Sequence, residues 1–137
     1  MKKFLITVLA IISIGSYAGE LSSFSEIANA VVNGKQLTFV WTIKHCSSEI
    51  NLPDIVTAIK PNAVMLIGGK RITASDNHFS LNEPSLPNKA TSTFSKYNLQ
   101  DNGLALLDIT VMKAKNYKKV SNYQIRCELG KGLTVFD

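Results

Sequence analysis

Residues 91–112 read TSTFSKYNLQDNGLALLDITVM, and this stretch decides the fold. Two runs, Thr91 to Leu99 and Leu104 to Met112, flank Gln100-Asp101-Asn102-Gly103. Asn-Gly is a strong hairpin signal, because the tight turns that match strand twist need positive φ at their centre. In the returning run Ala105, Leu107, Ile109 and Val111 recur at every second position, which places them on one face of a strand. The middle of the chain is therefore an antiparallel hairpin with an apolar side.

The same period extends outward. Val120 to Leu129 sets Tyr123, Ile125, Cys127 and Leu129 against Asn122, Gln124, Arg126 and Glu128, so Cys127 points inward. Gly130-Lys131-Gly132 then turns the chain into a last short strand through Leu133, Val135 and Phe136. Upstream, Pro84 and Pro87 mark a loop, Gly68-Gly69 stops a strand over Ala63 to Ile67, and Arg71 to Ser75 alternates through Ile72 and Ala74. Asp76-Asn77 reads as a bend or bulge before Phe79 and Leu81 resume, and parity with those two puts His78 on the face away from the core.

Leu37, Phe39, Trp41 and Ile43 give a half-buried strand that ends near Cys46. Leu52, Ile55, Val56 and Ile59 have helical spacing after Pro53, which predicts a short helix of about two turns. Ser22 to Asn33 is a clearer helix: Ser23 and Glu26 have capping-box spacing, Phe24, Ile27, Ala28, Val31 and Val32 share a face, and Gly34 stops it. With no alternation of strand and helix to demand a parallel sheet, the pattern predicts an α+β fold. Its architecture is an N-terminal helix packed on an antiparallel β-meander of about six or seven strands.

The N-terminus reads as an address. Lys2 and Lys3 precede an apolar run from Phe4 to Ile14, and Ser16-Tyr17-Ala18 presents small residues for cleavage between Ala18 and Gly19. The run falls short of the roughly 20 apolar residues a membrane-spanning helix needs, which argues against an uncleaved anchor. Losing the first 18 of 137 residues leaves 119, room for a single domain over residues 19–137 and none for a second. The formal charge falls from +5 to +3 as Lys2 and Lys3 leave, an excess too mild to point to nucleic acid. The expected location is the periplasm or the extracellular space, with no transmembrane segment after cleavage.

In that compartment the only two cysteines, Cys46 and Cys127, are expected to form a disulfide. Free thiols, one acting as a nucleophile, are the competing reading. His45 beside Cys46 does not make a catalytic pair, since neighbours on an extended segment face opposite ways. His45, His78 and Asp76 would supply zinc-type ligands, yet no spacing in the chain matches a zinc pattern, and no metal or cofactor is expected. Gly68-Gly69-Lys70 lacks the spacing of a phosphate loop. Lys113, Lys115, Lys118 and Lys119, with Tyr117 among them, form the one dense basic cluster, suited to an anionic lipid head group, glycan or acidic protein surface. The competing reading is a solvated hairpin tip whose lysines discourage strand aggregation.

The mature stretch also resembles the VirK family of small exported bacterial proteins. The resemblance is carried by Phe24-Ser25-Glu26-Ile27 through Gly34-Lys35, His45-Cys46-Ser47, Ile67-Gly68-Gly69-Lys70-Arg71-Ile72 and His78-Phe79-Ser80. It continues through Asp101-Asn102-Gly103, Tyr123-Gln124-Ile125-Arg126-Cys127 and Gly130-Lys131-Gly132. It implies a periplasmic or secreted protein linked to host interaction or virulence, and it lends no catalytic residues. Together these readings lead to an exported, non-enzymatic binding module for a protein or an anionic surface. The alternative is a periplasmic carrier holding a small apolar or anionic ligand in a cavity between sheet and helix.

Overall fold

The computed structural model describes residues 19–84 and 86–137; residues 1–18, expected to be an export segment cleaved after Ala18, lie outside the described residues. The chain runs through β1 (Glu20–Leu21), α1 (Phe24–Val32), β2 (Thr38–Thr42), β3 (Val56–Ile59), β4 (Ala63–Ile67), β5 (Arg71–Ser80), β6 (Thr91–Gln100), β7 (Leu104–Lys113), β8 (Lys119–Leu129) and β9 (Gly132–Phe136). All nine strands join one sheet in the order β3-β2-β9-β8-β7-β6-β5-β4, with β1 added beside β9.

The helix is built as its sequence dictates. The Ser23 hydroxyl accepts the Glu26 N–H at 3.3 Å, and the Glu26 carboxylate accepts the Ser23 N–H at 3.0 Å, closing a capping box. At the other end Gly34 takes φ +69, and the Lys35 N–H reaches the Ala30 carbonyl at 3.0 Å. That left-handed turn satisfies the last carbonyls of the helix. Ile27 and Ala30 bury themselves in the core.

One helix of nine residues does not make a layer, and the α+β expectation is corrected to a mostly β fold. The sheet supplies its own second layer by curling. Trp41 on β2 stacks on Tyr97 of β6 with ring centroids 5.5 Å apart, and Phe39 meets Tyr97 edge-on at 5.8 Å. In a flat sheet strands four places apart would be about 19 Å distant. Phe39, Trp41, Leu133 and Val135 of one half therefore pack against Ile72, Tyr97, Leu107 and Ile125 of the other, all nearly inaccessible to water. The helix packs against β1 and β4 and adds Ile27 and Ala30 to this core.

The meander is corrected too. β4 to β8 do follow one another antiparallel, but β9 enters between β8 and β2, sharing with β8 only the parallel pairs Glu128↔Gly132 and Leu129↔Leu133. The predicted short helix near Pro53 is strand β3, with Val56 to Ile59 paired on Phe39 to Thr42. Two isolated turns cannot pay for helix nucleation, whereas the edge of β2 offers a ready ladder to β-branched Val56, Thr57 and Ile59.

The bend expected at Asp76-Asn77 is likewise absent. β5 runs unbroken and pairs with β6 from Arg71↔Gln100 to Ser80↔Thr91. Ile72, Ala74, Asp76 and His78 consequently share the inner face, while Phe79 points out and is 62% exposed.

Candidate functional site

The geometry around Cys127 begins with β8, whose alternation turns that residue inward to meet Cys46 just past β2. The two are joined in a disulfide with Cα atoms 4.5 Å apart, which ties the end of β2 to β8. The next residue continues the attachment. Ser47 and Arg126 exchange both backbone N–H···O bonds at 2.8 Å, and the Ser48 hydroxyl donates to the Gln124 carbonyl at 2.7 Å. Beyond Ser48 the chain bends away at Glu49 and Ile50. Beneath this strap, over the outer face of β6 to β8, lies an open groove of about 680 Å³, lined by Ile50, Asn98, Leu106, Asp108, Gln124 and Arg126. Its Asp108 carboxylate is already engaged, by Lys96 at 3.4 Å and by the Asn122 amide at 2.8 Å.

At the far end of β8 stands the basic tip. Lys113, Lys115, Lys118 and Lys119 are all exposed, and none is ion-paired among the described residues. The turn is fixed by the Lys113 N–H on the Lys118 carbonyl at 3.0 Å and the Tyr117 N–H on the Lys113 carbonyl at 2.9 Å. Tyr117 sits at φ 53 and presents its ring 64% exposed. The loop carrying Lys89 is bound alongside through the Ala114 N–H and the Ala90 carbonyl, 3.0 Å apart.

A third arrangement was not legible in the sequence. With β5 straight, His78 Nδ1 stands 3.1 Å from Asp76 Oδ2, and that carboxylate is only 10% exposed. Thr91, Thr93 and Ser95 of β6 continue the buried polar stripe, and burial pushes the Tyr97 hydroxyl up to about 12. The Ser95 hydroxyl opposes that rise and the Asp76 charge adds to it. His78 hydrogen-bonds no hydroxyl among the described residues, and Thr93 stands opposite it in the β5–β6 ladder. His45 lies apart in the 3-10 turn after β2, and the described residues contain no group of three or more His, Cys, Asp or Glu side chains placed to hold a metal ion.

The two chain ends of the described fold also meet. The Asp137 N–H bonds the Gly19 carbonyl at 3.1 Å and the Gly19 N–H reaches the Asp137 carboxylate at 3.3 Å. Lys35 pairs with the same carboxylate and, more than any other group, holds it below the usual carboxylate range. Gly19, expected to begin the exported chain, is thus adjacent to the last residue.

The sequence over residues 20–117 matches the VirK protein family. The chain belongs to the VirK family. A crystal structure of a VirK family protein from Legionella pneumophila superposes with a TM-score of 0.82 at 42% identity, covering 86% of this chain and 98% of that one. Among curated proteins no sequence matches. Of the stretches that carry the VirK resemblance, His45-Cys46-Ser47 and Tyr123-Gln124-Ile125-Arg126-Cys127 lie far apart in sequence. The fold brings them together at the disulfide and the head of the groove.

No helix among the described residues is long and apolar enough to cross a membrane.

Proposed function

We propose that this VirK family member is an exported, non-enzymatic binding module that engages an acidic partner surface through its basic tip, in the service of host interaction or virulence. The observation that carries the reading is the tip: four exposed, unpaired lysines around an exposed Tyr117, in a stretch with no acidic residue from Ile109 to Cys127. Unpaired charges of one sign raise the local concentration of an opposite surface and accelerate encounter. An aromatic ring held among them supplies contact area once the surfaces meet.

The interior supports a binder over a carrier. Phe39, Trp41, Ile72 and Leu133 fill the core between the two halves of the sheet and are at most 2% exposed. The space between sheet and helix is an open pocket of about 220 Å³ at Val31, Leu37 and Val64, below the roughly 300 Å³ at which ligand sites begin. The disulfide supports export, since such bonds persist in oxidising compartments.

The test is retention of partners by the immobilised exported chain, compared with a Lys115→Glu/Lys118→Glu variant of equal melting temperature. Retention should fall with the charge reversal and with rising salt, as screened contacts do. Retention indifferent to both would refute the reading.

A further inference from the structure

Attention falls on what β9 leaves behind. After two pairs with β8 it departs to β1 and β2, so the lower half of β8 has a neighbour on one side only. The direction of its free groups follows from the Ser47 pairing. Arg126 gives both its N–H and its C=O to Ser47, away from β7, so in an antiparallel ladder Gln124 and Asn122 must turn the same way. The Gln124 carbonyl takes the Ser48 hydroxyl. The Gln124 N–H and both backbone groups of Asn122 hydrogen-bond nothing among the described residues.

These groups lie beside the 680 Å³ groove, whose floor is the outer face of β6 to β8 at Asn98, Leu106 and Asp108 and whose side is the strap at Ile50, itself 48% exposed. We propose that the open edge of β8 accepts an extended acidic segment of a partner protein as an extra strand. From Lys119 to Gln124 the open edge is about 20 Å long, space for roughly six residues of extended chain. Strand addition takes affinity from the main-chain bonds and specificity from alternate side chains.

Both faces of β8 shape that specificity. Asn122, Gln124 and Arg126 stand on its outer side, Arg126 without an ion-pair partner among the described residues, and the edge ends at Lys118 and Lys119. Tyr123, on the inner side, and Ile50 offer apolar surface. Glu49, on the strap, is the acidic group facing the same space that no lysine or arginine neutralises. A segment alternating acidic with apolar residues fits this arrangement. Of the other open edges, β4 borders a smaller pocket of about 220 Å³ against α1, and neither β3 nor β4 ends at a lysine cluster like the one at the start of β8. The proposal deepens the binding reading and rests on it for the partner's charge.

The experiment titrates isotope-labelled exported chain with a capped hexapeptide alternating glutamate and valine. The Asn122 and Gln124 amides should shift and exchange with solvent about tenfold more slowly, with an affinity at or below about 1 mM. Gln124→Pro removes the edge donor without breaking the β7 ladder, from which that N–H points away, and should weaken binding about tenfold or more beyond Gln124→Ala, which removes the side chain alone. Methylating alternate backbone amides of the peptide should do the same without touching the protein's stability. A lysine–valine peptide binding equally well would overturn the proposal, as would absence of any shift at Asn122 and Gln124. Peptide-induced dimerisation through paired β8 edges would overturn it as well. Shifts confined to Lys113 through Lys119 would remove the edge site and leave the tip standing.

Discussion

Gly132→Ala is the substitution for which the structure makes the sharpest demand. Gly132 opens β9 at φ +96, where a side chain is strained whatever the surrounding space. A Cβ there would also lie 2.7 Å from Cys46 Sγ and 3.1 Å from Cys127 Cβ, inside the disulfide's own volume. The backbone conformation alone costs about 1–3 kcal/mol for a residue with a side chain. Overpacking against a covalently fixed neighbour adds about 1–3 kcal/mol. The expected loss is therefore roughly 2–6 kcal/mol, or about 10–25 °C in melting temperature for a chain of this size.

The two contributions separate in a double-mutant cycle. In a Cys46→Ala/Cys127→Ala background the sulfur atoms are gone while the φ strain and the 3.1 Å contact with the β-carbon at position 127 remain, so Gly132→Ala should cost about 1–2 kcal/mol less there. Removing the bridge, which closes 81 residues, itself costs on the order of 4 kcal/mol. Urea denaturation in the presence of a stabilising osmolyte keeps all four proteins folded at the start of the titration. An equal cost in both backgrounds would refute the packing of β9 on the disulfide. A cost below about 1 kcal/mol in the parent would refute the strained turn as well.

Other expectations follow from single residues. Ser23→Ala removes the acceptor for the Glu26 N–H and should lower stability by about 1 kcal/mol in thermal unfolding, while Ser25→Ala, an exposed position inside the same helix, should not. Glu26 and Asp137 are both held below the usual carboxylate range, by the Ser22 hydroxyl first of all for Glu26 and by Lys35 first of all for Asp137. A carboxyl lowered in the folded state stabilises fully above its unfolded value, near pH 4, and loses that contribution as pH falls through the folded one. Melting temperature should thus drop below about pH 4, and Lys35→Ala should make that drop shallower; an unchanged acid profile would count against the Lys35–Asp137 pair.

How much of this was legible is seen residue by residue. The Ser23–Glu26 box and Gly34 marked the helix because capping is local chemistry. The Asn102-Gly103 hairpin was equally plain, with Gly103 at φ +85. The cysteine pair followed from compartment and count. What escaped are relations set by distant partners. Val56 to Ile59 became a strand only because β2 offered an edge, and the helical spacing there reflected no helical face. β5 stayed straight through Asp76-Asn77 because ten consecutive pairs with β6 hold it, and this moved His78 from the outer face to the inner one beside Asp76.

The curl itself has no local signature, since alternation tells which side chains share a face and not what that face meets. For the same reason the departure of β9 from β8, and the free edge it leaves, could not be read from one dimension. The lysine tip could, because four charges within seven residues of a turn have nowhere to go but water.

The measurement closest to the central claim is lysine-reactive crosslinking of the chain in the cells that make it, followed by mass mapping of the joined peptides. Lysines lie all over the molecule, at Lys44, Lys60, Lys70 and Lys131 as well as at the tip, so the reagent itself does not favour one end. The account predicts partner crosslinks concentrated at Lys113, Lys115, Lys118 and Lys119, joined to acidic segments of the partner. Crosslinks spread evenly over the surface, or gathered at Lys44 and Lys60 on the other half of the sheet, would contradict it.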